Sequence, residues 1–340
     1  MTEQRMLTIA GIAHAPDGSG YYRFYLPFRW MSELSDHMVG MPPIGHQWSP
    51  SDAELAQIDV LAMQRPAGKP GVRQMEQLQG KTKLVYETDD DMLRVDPSGL
   101  PHLYDDGMRS TIKRCLRLAD MITVSTPYLA EQVEPYNDNV AVLPNCINSE
   151  LIGESERWQA ELPEDRPLTI GWQGGTSHLM DMVTIQDPLR DVLEANPDVV
   201  MHFAGFDYSP LLKRTCQWTT WQENVWDHYR HTAHFDIAIA PLAPHVFNSS
   251  KSHLKALEAA AMGQPIVASD SLPYRDFVVD GKTGFLVRTD DEWRARLNEL
   301  IHDADMRAEM SRNAREVARD WTIQGYGWRL WQAAYQEVGG

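Results

Sequence analysis

The stretch from Phe247 to Val287 leaves this chain few choices of fold. A helical run, Ser252 to Met262, sets Leu254, Leu257 and the alanines 259–261 around one acidic residue, Glu258. Gly263 and then Pro265 stop that helix. Ile266-Val267-Ala268 is a short apolar strand that ends in Ser269-Asp270, and Gly284-Phe285-Leu286-Val287 is a second, entered from an Asp280-Gly281 turn. Short, wholly apolar strands read as parallel strands buried on both faces. A carboxylate on a helix that faces the carboxyl end of such a strand suits a pair of sugar or nucleotide hydroxyls. Open α/β sheets bind their ligands in that crevice.

The same alternation runs along the whole chain. Apolar runs at Met6–Ile12, 58–63, 83–87, 121–124 and 140–143 are separated by helical patterns at Tyr21–Leu34, Gly71–Gly80, Arg109–Leu118 and Tyr128–Val133. A second set of strands follows at Leu168–Trp172, Val199–Ala204, Phe235–Ala240, Ile266–Ala268 and Phe285–Val287. Strands alternating with helices imply parallel sheets with crossover helices. At 340 residues and 38.7 kDa the chain exceeds one core. The expected division is an N-terminal Rossmann-like domain at 1–150, a linker at 151–166, and a C-terminal Rossmann-like domain at 167–320. The polar run through Glu154, Glu156, Glu161, Pro163 and Glu164 places the linker. A terminal helix is expected over 321–340, where Trp321, Trp328 and Trp331 cluster.

Charge narrows the partners. With 48 acidic against 31 basic residues the net charge is −17, which argues against a broad, sequence-independent grip on nucleic acid. Cys115, Cys146 and Cys216 are scattered and odd in number, so neither a disulfide framework nor a zinc site is expected. No signal peptide and no membrane span are visible, and the expectation is a cytoplasmic protein.

The block from Phe247 resembles the nucleotide-sugar segment of family-four retaining glycosyltransferases, with phage and bacterial members most alike. Glu258, Gly263, Pro265, Ala268, Ser269, Asp280, Gly281, Thr283 and Gly284 fall on that family's ordered pattern. The resemblance implies the GT-B fold: two Rossmann-like domains facing across a cleft, with the last helix returning to the first domain. It also implies a nucleoside-diphosphate sugar, UDP- or GDP-linked, as co-substrate with no bound metal or cofactor, and Glu258 on the ribose hydroxyls.

Departures from the family pattern shift other roles. Ser250 stands where relatives place a first glutamate that touches the sugar. The candidates for donor binding are therefore Asn248, Ser250, Ser252, His253 and Lys255, with Glu258. The turn Gly174-Gly175 follows a strand and precedes a helix, which suits a phosphate. The family's Arg and Lys are missing there, so Lys251 is expected to neutralise the leaving diphosphate. His178 and Asp181 read as a helix-start pair. Thr220 and Trp221 fall near the base by rough position.

In the first domain the glycine-rich loop offers Gly18, Ser19, Gly20 and Arg23 to the acceptor, and Glu87-Thr88-Asp89-Asp90-Asp91 ends a strand with crowded carboxylates. Asp89 and Asp90, with Lys251, are the expected catalytic groups. The resemblance implies a glycosyltransferase acting on a saccharide, lipid or protein hydroxyl. Hydroxymethylated phage DNA is the alternative acceptor, served by a stripe of Arg23, Arg29, Arg109, Lys113, Arg114 and Arg117. A non-catalytic nucleotide-sugar binder and an epimerase or phosphorylase on the same fold are the rival classes.

Overall fold

The computed structural model describes residues 6–15, 17–35, 38–39, 51–95, 105–222 and 224–340. Residues 1–5, read for a leader, and Pro16 of the first loop lie outside the described residues. The chain divides into two compact units: residues 1–146, 250–252 and 323–340, and residues 147–249 and 253–322.

The first unit is a six-stranded parallel sheet, β1 (Thr8–Ile12), β2 (Met38–Val39), β3 (Val60–Gln64), β4 (Lys83–Thr88), β5 (Met121–Val124) and β6 (Val140–Val142), in the order β2-β1-β3-β4-β5-β6. The central strands are buried along their length because helices cover both faces. Its core gathers Leu61, Met63, Leu84, Ile122 and Val124 from the sheet with Met75, Ile112 and Leu116 from the Gly68–Leu78 and Asp106–Leu118 helices. The expected single helix over Tyr21–Leu34 is a π-helical turn, Tyr21–Tyr25, running into an α-helix, Leu26–Leu34. π-turns of this kind cluster at functional sites.

The second unit repeats the plan with β7 (Thr169–Gly174), β8 (Val200–Gly205), β9 (Gln217–Thr220), β10 (Ile237–Ala240), β11 (Ile266–Ser269) and β12 (Gly284–Val287), all parallel in the order β12-β11-β10-β7-β8-β9. Trp172, Phe203, Ile239 and Val267 meet Ile185, Leu189 and Leu297 from the Leu179–Ala195 and Asp290–His302 helices. β9 carries no apolar signal, because Gln217, Trp218 and Thr220 are exposed on an edge strand.

Two boundaries need correction. The expected linker 151–166 is mostly a helix, Glu150–Ala160, built into the second unit. It buries Leu151, Ile152 and Ser155, and Gln159 Nε2 donates to the carbonyls of Ala233 (2.9 Å) and Met262 (2.8 Å). Its polar composition is that of an outward face, not of a free segment. The expected terminal helix from Trp321 is a π-turn, Ile323–Gly327, then a helix, Trp328–Gly339. That helix belongs to the first unit, as the GT-B resemblance implies: Trp331 and Tyr335 are buried, and Tyr335 meets Phe28 edge-on at 5.9 Å.

Candidate functional site

Both units concentrate polar chemistry at the carboxyl ends of their strands. In the second unit β7 ends in Gln173-Gly174, in register with Ala204-Gly205 of β8. Gln173 Nε2 donates to Glu258 Oε2 at 2.8 Å, and Gln173 Oε1 lies 2.7 Å from His228 Nε2. Glu258 stands on the Leu254–Ala261 helix and His228 on the Val225–Thr232 helix, both buried. One strand residue thus ties two helices together. Burial, with Lys255 and His231 close by, pushes the His228 imidazole down to about 4, so the ring is neutral at physiological pH.

Aromatic rings crown the same edge. Trp221, exposed past β9, lies over His228 with centroids 5.2 Å apart. Trp218 Nε1 donates to the Gly205 carbonyl at 3.0 Å. Gly205 holds φ +108, a conformation other residues avoid. A Cβ there would strike the Gly174 carbonyl oxygen and press on Trp221. Lys255 Nζ sits 5.9 Å from the centre of the Trp172 ring.

Asp181 organises the neighbouring loop. One oxygen accepts from Ala243 N (2.7 Å) and Asn248 Nδ2 (2.8 Å), and the other lies 2.7 Å from His178 Nδ1. A Cβ on Gly174 would touch Cδ2 of His178, which therefore lies against the glycine turn. A cavity of about 360 Å³ opens beyond this loop, at the ends of β10, β11 and β12. Asn248, Ser249, Ser269 and Asp270 line it, and Glu258 does not.

The first unit builds its edge from charge. Arg65, just after β3, adopts φ +48 and donates to Asp89, and to Asp90 Oδ2 at 3.1 Å. Lys251 Nζ lies 3.5 Å from Asp90 Oδ1, and Arg94 donates to Asp91 at 2.9 Å. The three crowded carboxylates are thereby matched by three cations, which removes the repulsion their spacing implies. Ser19 donates to Asp89 (3.2 Å) and accepts from Gln64 Nε2 (2.6 Å). Gly20 donates to Asp17 at 2.9 Å, and a Cβ there would strike the Ala15 carbonyl. Gly18 faces open space. Among the described residues no group of three His, Cys, Asp or Glu could hold a metal ion.

Several expected site residues are occupied elsewhere. Arg23 is fully buried, not part of an acceptor loop or a basic stripe. The π-turn points it inward, where it donates to Glu87 (2.6 Å), the Leu143 carbonyl (2.5 Å) and Asn145 (3.0 Å) and lies over Trp331. Burial pushes Glu87 up to about 7 against the pull of Arg23. Ser250 is fully buried in the first unit, its carbonyl accepting from Thr126 at 3.0 Å. Ser252 accepts from Asn145 Nδ2 at 2.8 Å. Asn248 spends both amide hydrogens on Asp181 and the Ala243 carbonyl. His253 is stacked on Phe277 (4.6 Å) and edge-on to Trp321, and burial holds it near 4. Glu258, Lys255, Gly174 and Gly175 remain gathered at the edge of the second unit, and Asp89, Asp90 and Lys251 at that of the first. Sequence reasoning missed Arg65, Gln173 and His228. A residue directly after a buried strand was the available signal for Arg65.

Residues 190–317 match the family described as glycosyl transferases group 1, all within the second unit apart from 250–252. The two parallel sheets with their covering helices match the two-domain Rossmann-like GT-B fold of solved structures. HepE of Anabaena, solved with UDP and glucose, is similar at TM-score 0.67 and 14% identity, over 96% of this chain and 99% of that one. A glycosyltransferase from Rickettsia africae is similar at TM-score 0.64 and 13% identity, over 98% and 99%. TarM of S. aureus, solved with fondaparinux, alpha-GlcNAc-glycerol and UDP, is similar at TM-score 0.58 and 13% identity over 81% of this chain. The chain spans about half of TarM, 55% of its length. No curated protein matches the chain in sequence. Among the described residues no helix is long and apolar enough to cross a membrane.

Proposed function

We propose that the chain is a glycosyltransferase that moves a sugar from a UDP-sugar to an acceptor hydroxyl with retention of configuration. The observation that carries this reading is Glu258, a buried carboxylate fixed at the carboxyl edge of the second sheet by Gln173. It holds the ribose hydroxyls, and the exposed ring of Trp221 meets the base. HepE and TarM were solved with UDP, which supports uridine as the nucleoside. Lys255, His178 and the Gly174–Gly175 amides meet the diphosphate. Lys251 lies against Asp90 on the first unit, where Asp89 and Asp90 contact sugar hydroxyls.

The acceptor is a saccharide, lipid or protein. A DNA acceptor needs a stripe of available cations. Arg23 is buried, Arg29 pairs with Glu33, Arg109 with Asp106 and Arg114 with Glu76, and Arg117 lies over Tyr136. Labelled UDP- and GDP-sugars offered with saccharide acceptors and with hydroxymethylated duplex DNA over a salt series test the proposal. Transfer from a UDP-sugar to a saccharide supports it. Salt-sensitive transfer to DNA overturns the acceptor, and binding without transfer or hydrolysis overturns the enzyme.

A further inference from the structure

We infer that His228 and Gln173 are positioning residues for Glu258, forming a one-directional hydrogen-bonded relay that couples the Trp221 platform to the ribose-binding carboxylate. The inference rests on the donor reading above and goes beyond it, because neither residue needs to touch the nucleotide.

Chemistry fixes the direction of the relay. A carboxylate only accepts, so the Gln173 amide nitrogen faces Glu258, as the 2.8 Å contact has it. The Gln173 carbonyl then faces His228, and Nε2 of that ring must carry the proton across 2.7 Å. His228 cannot turn its ring without losing its seat under Trp221, 5.2 Å away and tilted by 36°. Gln173 itself is fixed by β7, which pairs with β8 on one side and β10 on the other. Each member is thus oriented by packing as well as by its hydrogen bond, which is how a supporting shell holds a binding group. A nucleobase on Trp221 and a ribose on Glu258 would meet the two ends of one rigid chain.

Gln173→Glu tests the direction itself. Protonated, the new carboxyl imitates glutamine, donating to Glu258 and accepting from His228. Ionised, it sets two carboxylates against each other and the hydrogen bond to Glu258 is lost. The charged and titratable groups facing the relay are Lys255 and His231 beside His228, and Tyr274, which Asp181 also faces, beside Glu258. They are the same in wild type and variant. UDP affinity of the full chain is measured by calorimetry at pH 5.5 and pH 8 and read as a ratio to wild type at the same pH, which cancels the ionisation of UDP.

Gln173→Glu is expected within about threefold of wild type at pH 5.5 and about tenfold weaker at pH 8, one factor of ten being about 1.4 kcal/mol. Gln173→Leu is expected to be weaker by about tenfold at both pH values. Should the leucine variant fail to fold, the pH ratio of Gln173→Glu still decides. A ratio that does not change with pH, or wild-type affinity in folded Gln173→Leu, overturns the relay alone. No UDP binding by the wild-type chain overturns the donor reading and the relay with it.

Discussion

The two sheets carry opposite chemistry on equivalent edges. The first unit ends its strands in Asp89, Asp90 and Asp91, each matched by Arg65, Lys251 or Arg94, over a buried Arg23–Glu87 pair. At the ends of β7 to β9 the second unit instead sets an amide, a neutral imidazole and exposed indoles beside Glu258, and keeps its paired charge, Asp270 with Arg275 and Arg288, at the end of β11. An edge of paired charges holds its shape through those pairs. Neutral groups at the ends of β7 to β9 would leave that stretch little to give up on binding the proposed nucleotide. One fold used twice has been split by side-chain choice into a charge-locked half and a receptive half.

The largest expected effect breaks the locked half. Arg23→Ala leaves Glu87 buried without its cation, and should cost about 3–5 kcal/mol of first-unit stability. Urea unfolding measures the loss, while UDP affinity below the transition should stay within about twofold of wild type. A variant as stable as wild type would mean that the pair does not lock this half.

A smaller effect separates the two edges functionally. Lys251→Ala should lower kcat by about tenfold or more, because it acts on Asp90, and leave UDP binding unchanged. Steady-state kinetics with calorimetry checks both. Weakened UDP binding with normal kcat would move Lys251 to the donor side.

A further contrast is a pH response of opposite sign in the two halves. His202, His228, His234 and His253 of the second unit are all held down to about 4 by burial. The unfolded chain binds their protons first, so second-unit stability falls as pH drops from about 6.5 towards 4. Glu87 is raised to about 7. Its contribution is present below the ordinary carboxylate range and lost as pH rises through about 7. Hydrogen exchange at pH 5 and pH 7.5 reads the halves separately. Acid should loosen the second unit and not the first, and a uniform response would contradict this.

Sequence made the repeated sheets legible, because buried parallel strands are short apolar runs that a helix must separate. It also marked Glu258, a single carboxylate amid alanines. The Glu150–Ala160 helix was hidden by its polar outer face, and β9 by being an exposed edge. The partners of the site were hidden by distance along the chain. Gln173 lies 85 residues from Glu258 and 55 from His228, and Arg65 lies 24 from Asp89. Nothing local foretells such pairs, which only the order of strands brings together. Burial was equally invisible: Arg23 sits among exposed-looking aromatic residues, and only the π-turn turns it inward.

The central claim is that the second unit receives the nucleotide through Glu258. Titration of wild type and Glu258→Ala with UDP tests it most directly. Loss of a carboxylate-to-hydroxyl pair should weaken binding by about 1.5–3 kcal/mol, tenfold or more, in a protein with an unchanged unfolding transition. Equal affinity in the folded variant would contradict the account and leave Glu258 as a structural residue held by Gln173.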